Sequence, residues 1–339
     1  MNRPLPDFLT GASPRPLLAV RDLCKFFPIY RQGLIRRRTG EVRAVDHISF
    51  DLYPHETLGL VGESGCGKST TVRTILRALD FTSGEAWFDP TGNGDYIELG
   101  GLSSRELKPL RQSMQMIFQD PFSSLNPRMT VGQIVAEPLV IHHLAKGREL
   151  DARVDEMLLR VGMKPEHKPR YPHAFSGGQR QRIGIARALI MNPSLVVADE
   201  AVSALDVSVQ AQVINLLDEL KRTMGLSYIF VAHDLCVVRH ICDRVAVMYA
   251  GRIVEVAPTE ELFQNPIHPY TRLLLASAPV PDPDCRVTPP PAGEVADAGA
   301  LPPGCAFGPR CPGCVEACAE SVPELREVAS GHWAACGRI

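Results

Sequence analysis

The sequence predicts an α/β fold with a mostly parallel sheet, and three observations support that prediction. Short apolar runs without alternation are typical of parallel strands covered on both faces, and they occur at residues 57–61, 115–118, 195–198, 228–231 and 245–248. The first run leads into a glycine-rich turn, 62–67, and then into a helical pattern over 68–79. A mainly helical stretch, 120–191, follows the second run and includes predicted helices at 131–144 and 151–161.

The N-terminal part predicts an antiparallel subdomain. Apolar and polar residues alternate at 18–20 and at 44–52, which indicates two half-buried strands. The insertion between them, 29–41, is interpreted as a solvated loop that carries Arg31, Arg36, Arg37 and Arg38. Contact of these arginines with anionic lipid or a membrane partner is the alternative. Residues 1–16 are expected to form a flexible leader, because they are rich in proline and glycine.

The composition excludes several classes of protein. Of 339 residues, 45% are hydrophobic and 22% are charged, with a formal net charge of −2, so we expect a globular core and no strongly basic surface for nucleic acid. No apolar run is long enough to span a bilayer, and residues 1–15 lack the apolar region of a secretory signal. We therefore expect a cytosolic chain that reaches a membrane only through a partner.

Residues 62–69 match the phosphate-loop pattern G-x-x-x-x-G-K-[ST], between a strand and a helix as its mechanism requires. The glycines let backbone N–H groups wrap around a phosphate at a helix N-terminus. Lys68 is expected to reach the β- and γ-phosphates of ATP, and the Ser69 hydroxyl to bind Mg²⁺. The predicted ATP contacts here are Gly62, Glu63, Ser64, Gly65, Cys66, Gly67, Lys68, Ser69 and Thr70.

A second part of the nucleotide site is predicted where the strand 195–198 ends. Asp199 is placed to hold Mg²⁺ directly or through water, and Glu200 is placed to polarise an attacking water as a general base. Two acids after a strand are a weak signal alone, but they become a strong one when a phosphate loop is present.

Residues 175–179, Phe-Ser-Gly-Gly-Gln, indicate which phosphate-loop protein this is. They resemble the signature motif of ABC ATPases, usually Leu-Ser-Gly-Gly-Gln, and form a second backbone anion site at a helix start. The resemblance covers residues 17–265 and implies an ABC cassette, a P-loop NTPase with a RecA-like core, an antiparallel β subdomain and a helical subdomain at about 120–191. In the family this motif contacts the γ-phosphate bound to the other subunit, which implies ATP contacts for Ser176, Gly177, Gly178 and Gln179.

The same resemblance assigns roles to single residues. Gln119 matches the loop glutamine that senses Mg²⁺ and water and meets the membrane partner, and His233 matches the switch histidine at the γ-phosphate. With Glu200 they form the implied catalytic set. Asp206 matches the loop that crosses the dimer interface, and Phe27 lies where the family stacks an aromatic ring on adenine. Ala201 replaces the usual proline after the catalytic glutamate, but no ligand is lost, so we expect hydrolysis to survive.

Three segments are similar to the ATPases of dipeptide/oligopeptide importers, namely 119–128, 171–187 and 265–271, the last containing His268-Pro-Tyr-Thr. The resemblance implies peptide as the cargo, with nickel or glutathione as alternatives, and a C-terminal region at 266–339. It also implies two membrane permeases, an extracytoplasmic binding protein and a second ATPase, identical or different, with this chain peripheral on the cytoplasmic face of the inner membrane.

Two other functions remain as alternatives. A soluble ABC protein of DNA repair or translation usually has two cassettes or long coiled-coil inserts, and this chain has neither. A catalytically silent partner cassette is disfavoured, because Glu200, His233 and the signature are all present.

After about residue 279 the chain is rich in proline, glycine and cysteine and loses periodicity, which indicates a separate tail with Cys285, Cys305, Cys311, Cys314, Cys318 and Cys336. In a reducing cytosol, clustered thiols favour metal ligation over disulfides. The spacing of Cys305, Cys311, Cys318 and Cys336 is similar to tails of this subfamily that hold an iron–sulfur cluster, which implies a [4Fe–4S] cluster here. Zinc on Cys311, Cys314, Cys318 and Cys336, or no metal at all, are the alternatives.

Overall fold

The computed structural model describes residues 5–10, 14–31, 37–120, 122–277, 299 and 301–339. The strands within these residues are β1 Leu18–Arg31, β2 Arg37–Leu52, β3 Thr57–Val61, β4 Ser83–Phe88, β5 Ile97–Glu98, β6 Met114–Ile117, β7 Leu195–Asp199, β8 Ser227–Val231, β9 Arg244–Tyr249, β10 Arg252–Pro258, β11 Arg326–Ala329 and β12 His332–Ala334. The α-helices are α1 Asp7–Thr10, α2 Lys68–Ile75, α3 Ser104–Leu110, α4 Val131–Ile141, α5 Gly147–Arg160, α6 Gly177–Leu189, α7 Val207–Met224, α8 Leu235–Ile241, α9 Thr259–Gln264, α10 Pro269–Ala276 and α11 Ala317–Glu320.

The larger sheet has the strand order β11-β12-β10-β9-β3-β8-β7-β6. Its centre, from β9 to β6, is parallel, whereas β10, β12 and β11 are added antiparallel at one edge. All five predicted parallel strands are confirmed, with boundaries that differ by at most one residue. The carboxyl ends of β3, β6, β7 and β8 therefore meet along one edge, where parallel sheets bind ligands.

The parallel strands are buried on both faces, which explains why their sequences do not alternate. In β7, Val196 and Ala198 face a core shared with the helices, while Leu195 and Val197 face a core shared with the second sheet. All four are fully buried. The leucine and the two valines each contribute about 1.5–3 kcal/mol of hydrophobic stabilisation, so the strand that ends at Asp199 is firmly anchored.

The second sheet is antiparallel, in the order β2-β1-β4-β5. The two predicted strands are confirmed, but the prediction of a loop over 29–41 is wrong at both flanks. The β1–β2 ladder continues through the pairs Ile29↔Gly40 and Tyr30↔Arg38. Aromatic and β-branched residues favour strands, and the run 26–30 is rich in them. Arg36 lies outside the described residues.

The short N-terminal helix α1 lies within the predicted flexible leader. Leu9 is buried against Ala19 and Trp87, and the Arg21 guanidinium lies 4.5 Å from the centre of the Phe8 ring. This part of the leader therefore contacts the antiparallel sheet.

The stretch between β6 and β7 is helical, and α4 packs against both α5 and α6. Helix α4 begins with a capping box between Thr130 and Gln133 and ends three residues before the predicted limit. Helix α2 ends at Ile75 rather than near residue 79, because Arg77 adopts a positive φ of 54° and turns the chain.

The C-terminal segment, residues 301–339, is not a separate tail. Strand β12 pairs with β10 through Glu255↔Ala334 and Val256↔Trp333, so the segment extends the larger sheet. The sequence gives little sign of this pairing, because β12 has only three residues and β11 is largely exposed. Cys285 lies outside the described residues.

None of the helices in the described part of the chain is long and apolar enough to cross a membrane.

Candidate functional site

The phosphate loop joins β3 to α2, and two of its glycines are packed so closely against neighbouring backbone that no side chain fits. Gly62 has a φ of +151°, and a Cβ atom there would lie 2.2 Å from the Met248 carbonyl oxygen. Gly67 has a φ of +109°, and its Cβ would lie 2.1 Å from the Ala44 carbonyl oxygen. The loop is thus clamped between β9 and β2, and only glycine permits the approach.

Lys68 is 5% exposed and curls back over the loop. Its ammonium group donates to the carbonyl oxygens of Gly62 at 2.7 Å and Glu63 at 3.0 Å. Its charge is therefore held inside the loop, where an anion is expected. Burial raises the pKa of the nearby Cys66 thiol, an effect that Lys68 opposes.

The Ser69 hydroxyl donates to a carboxylate oxygen of Asp199 at 2.8 Å, across 130 residues of sequence. Asp199 is 1% exposed, and its other oxygen lies 3.5 Å from the Arg73 guanidinium. A hydroxyl and a buried carboxylate form a set of oxygen donors of the kind that Mg²⁺ prefers. Two of the three residues predicted at the magnesium site, Ser69 and Asp199, are therefore together in space, while the third, Gln119, donates to Glu200.

The three predicted catalytic residues follow β6, β7 and β8 and lie together. Gln119 and His233 both approach the carboxylate of Glu200. Glu200 accepts a hydrogen bond from the Gln119 side-chain amide at 2.7 Å, and Nδ1 of His233 lies 3.7 Å from the same oxygen. Glu200 has a positive φ of 49°, and its N–H donates to the Val231 carbonyl at 3.0 Å. The tight turn after β7 therefore directs this carboxylate towards the neighbouring strand ends.

The signature segment starts α6. Ser176 is the N-cap, its hydroxyl accepts from the Gln179 N–H, and the Gln179 side chain accepts from the Ser176 N–H, which forms a capping box. A Cβ on Gly178 would lie 2.4 Å from a Val209 methyl group, so α6 packs closely against α7. Ser176 and Gln179 are exposed, and these mutual bonds are on the surface of the described chain.

The remaining predicted ATP contacts lie on the surface. Asp206 is the N-cap residue of α7 and makes no side-chain cap bond. Phe27 is 38% exposed on β1 and pairs with Val42, and the Lys25 ammonium lies 5.1 Å from its ring centre. Ala44 of the same β1–β2 hairpin contacts the phosphate loop at Gly67.

A second set of contacts to the loop is not predicted from the sequence. The Arg310 guanidinium donates to both carboxylate oxygens of Glu63, at 2.9 Å each, and the Glu63 N–H donates to the Tyr270 hydroxyl at 2.8 Å. Arg310 and Glu63 are 247 residues apart in sequence, so no local pattern indicates the pair. The sequence offers one signal, the carboxylate of Glu63 inside an anion-binding loop, because such a carboxylate requires a positive partner.

Four cysteines of the C-terminal segment, Cys305, Cys311, Cys314 and Cys318, lie near one another. The pKa of Cys314 is raised by desolvation and by Cys318 and Cys311, and the pKa of Cys305 is raised by burial, with smaller effects of the same two neighbours. An Arg338 nitrogen lies 2.0 Å from where a Gly313 Cβ would be, so the chain beside Cys336 meets the 311–314 turn.

Two family models match the chain. The model described as "ABC transporter" matches residues 45–203, and the one described as "Oligopeptide/dipeptide transporter, C-terminal region" matches residues 254–318. Among curated proteins, the chain is 49% identical to the oligopeptide transport ATP-binding protein AppF of Bacillus subtilis, over 97% of this chain and 99% of that one. It is 57% identical to the glutathione import ATP-binding protein GsiA of Salmonella paratyphi A, over 81% of this chain and 43% of that one.

Solved structures agree with the fold. The ATP-binding cassette MJ0796, described as a dimer in a post-hydrolysis state with ADP and Pi, superposes with a TM-score of 0.61 at 26% identity, covering 71% of this chain and 98% of that one. CbiO1 of Clostridium perfringens, part of the ABC transporter complex cbiONQ, gives the same TM-score at 28% identity, covering 74% and 91%. The predicted family and the ABC-cassette part of the predicted fold are thus confirmed: the chain belongs to the ABC transporter family, as one of its ATP-binding and ATP-hydrolysing subunits.

Proposed function

We propose that this chain hydrolyses ATP to drive peptide import through an ABC transporter, at the cytoplasmic face of the inner membrane. The observation that carries the proposal is the convergence of Gln119, Glu200 and His233 beside a phosphate loop. The cargo class is supported by the match of residues 254–318 and by relatives named as peptide import proteins.

In this mechanism the chain's own groups do three things. Lys68 and the N–H groups of the loop bind the ATP phosphates, and Glu200 orients a water and takes its proton, with Gln119 and His233 fixing that carboxylate. Ser69 and Asp199 fit Mg²⁺ because they offer a hydroxyl and a buried carboxylate 2.8 Å apart, and the ion supplies neutralisation of phosphate charge. Gln119 also transmits to the permeases the conformational change that accompanies ATP binding and hydrolysis.

The exposed signature segment of this chain is proposed to contact the ATP that a second cassette binds. Ser176, Gly177, Gly178 and Gln179 would contact ATP bound to a partner ATPase, with Asp206 at the interface and Phe27 on the adenine. The exposure of Ser176 and Gln179 and the dimeric solved relative MJ0796 support this assignment.

The proposed assembly has two permeases and an extracytoplasmic binding protein. The division proposed for the chain is a leader at 1–16, a cassette at 17–265 and a C-terminal region at 266–339.

The C-terminal thiols are proposed to hold a [4Fe–4S] cluster on Cys305, Cys311, Cys318 and Cys336. The assignment follows the spacing of these four cysteines in the sequence. The group of three close ligand atoms found among the described residues, Cys24, Asp46 and His47, lies outside the C-terminal segment. Such a cluster supplies structural or redox-sensitive cross-linking of the segment.

Two experiments test these proposals. In a strain lacking this chain, uptake of labelled di- and tripeptides is expected to be lost and to return with the wild type but not with Glu200→Gln. Loss of glutathione uptake instead would favour the alternative cargo, which the similarity to GsiA supports. Protein purified without oxygen is expected to be brown, with about four irons per chain, whereas zinc or no metal would overturn the cluster.

A further inference from the structure

Glu63 of the phosphate loop is held through three groups, its backbone N–H, its carbonyl oxygen and its carboxylate. Its N–H donates to the Tyr270 hydroxyl, its carbonyl oxygen accepts from the Lys68 ammonium, and its carboxylate accepts two bonds from Arg310. Two of these partners come from the region after β10. The loop that is expected to bind ATP is therefore shaped partly by the C-terminal region.

Arg310 is buried and rigidly placed. It is 7% exposed, and its guanidinium lies 5.9 Å from the Tyr249 ring centre and 5.8 Å from that of Phe307. An arginine guanidinium stays protonated in proteins, so the positive charge that faces Glu63 is permanent. A planar guanidinium fixed between aromatic rings is well suited to hold a carboxylate in one orientation.

An aromatic cluster connects the loop to the cysteine segment. Tyr249, Tyr270 and Phe307 pack with ring centres 4.6–5.5 Å apart. Phe307 lies between Cys305 and Cys311, and Tyr249 follows Met248, whose carbonyl oxygen lies against Gly62. A shift of the cysteine segment therefore reaches the loop through packed side chains as well as through Arg310.

Buried Glu255 anchors this arrangement to the sheet. Its carboxylate accepts from the backbone N–H groups of Ile267 and His268 at 2.8 and 2.9 Å, and it contacts Nε2 of His332 at 2.7 Å. The residue is fully buried in β10. One carboxylate thus fixes the turn before α10 and strand β12, so that Tyr270 and Arg310 are presented from a firm support.

We propose that Arg310 is a positioning residue for ATP binding, which neutralises and orients Glu63 so that the phosphate loop accepts the triphosphate. The inference rests on the proposed function of this loop as the ATP site. Without Arg310, the Glu63 carboxylate is an unpaired negative charge in a loop that must bind a tetra-anion, and like charges repel most strongly where water is excluded. The C-terminal segment is then part of the nucleotide site.

The test removes the two charges singly and together in the purified full-length chain, with Kd for a fluorescent ATP analogue and steady-state KM and kcat as readouts. Arg310→Gln is expected to raise Kd and KM about tenfold, equal to about 1.4 kcal/mol, with a much smaller change in kcat. Adding Glu63→Gln removes the unpaired carboxylate, so the double variant is expected to bind ATP more tightly than Arg310→Gln alone. Arg148→Gln, which removes the same charge from an exposed position on α5, is the matched control and is expected to keep the wild-type Kd.

Two outcomes would overturn the inference. Wild-type affinity in Arg310→Gln would show that the residue does not act on the loop. A double variant no tighter than Arg310→Gln, with both folded by circular dichroism, would reduce Arg310 to a structural contact. Lys68→Ala separates this from the proposed function: if that variant binds ATP like the wild type, the loop is not the ATP site and the proposed function itself fails.

Discussion

The Glu200 carboxylate accepts a 2.7 Å hydrogen bond from the Gln119 amide, although the two residues are 81 apart in sequence. The bond joins the end of β7 to the end of β6 and fixes the direction of the carboxylate. Gln119 is followed by the segment that leads into the helical subdomain, so a displacement of that subdomain changes the position of a partner of Glu200. A link between the membrane partner and hydrolysis therefore has a short physical route.

Glu200→Gln is expected to lower ATP turnover by at least 100-fold, because a general base contributes about 10²–10⁴-fold and glutamine cannot take the proton. ATP affinity is expected to persist, since the loop and Ser69 are untouched. Turnover and nucleotide binding of the purified chain, alone and with its partner cassette, measure both effects. Glu219→Gln, an exposed position on α7, is the control. A fast Glu200→Gln enzyme would exclude this residue as the base.

Asp199→Asn is expected to raise the Mg²⁺ concentration for half-maximal hydrolysis by about tenfold or more, because one charged oxygen ligand is lost. Metal-free nucleotide binding is expected to change little by comparison. Titration of activity with Mg²⁺ at saturating ATP gives the result. Asp218→Asn, partly exposed on α7, is a matched control, and an unchanged midpoint in Asp199→Asn would remove the residue from the metal site.

His268, the buried N-cap residue of α10, is expected to make the protein less stable in acid. Burial lowers the pKa of His268 to about 4 from its ordinary 6.5, and its Nδ1 accepts from the Tyr270 N–H. Because the unfolded chain binds the proton first as pH falls, the contribution is complete above about pH 6.5 and declines towards pH 4. The expected loss of unfolding free energy between pH 7.5 and 5 is about 2 kcal/mol.

Urea unfolding at the two pH values measures this loss. His268→Asn keeps a capping side chain and is expected to unfold with a weaker dependence on pH, whereas exposed His143→Asn is expected to follow the wild type. Equal pH dependence in His268→Asn and the wild type would contradict the assignment.

Local sequence patterns predict the strands and loops formed by neighbouring residues well. They do not predict pairs of residues that are far apart in the sequence. The strand 57–61 and the loop 62–69 are recognisable because apolar runs and glycines act within a few residues. The β1–β2 extension and the β10–β12 pair are missed, since neither Ile29↔Gly40 nor Val256↔Trp333 has a local signature. The Arg310–Glu63 pair is missed for the same reason. The positions of Ser69, Asp199, Gln119 and Glu200 are foreseen only because the strand order of the family brings them to one edge.

Loss of one cysteine is expected to weaken ATP binding only while Arg310 is present. Cys311 follows Arg310 directly, so a disturbed thiol site displaces the guanidinium from Glu63. Cys311→Ser is therefore expected to raise Kd for a fluorescent ATP analogue about three- to tenfold, which corresponds to about 0.7–1.4 kcal/mol. In an Arg310→Gln background the same change is expected to add nothing, because the contact is already gone. Cys236→Ser, at an exposed thiol on α8, is the control for loss of a sulfur. Additive effects of Cys311→Ser and Arg310→Gln would mean that the thiol site and the loop act independently.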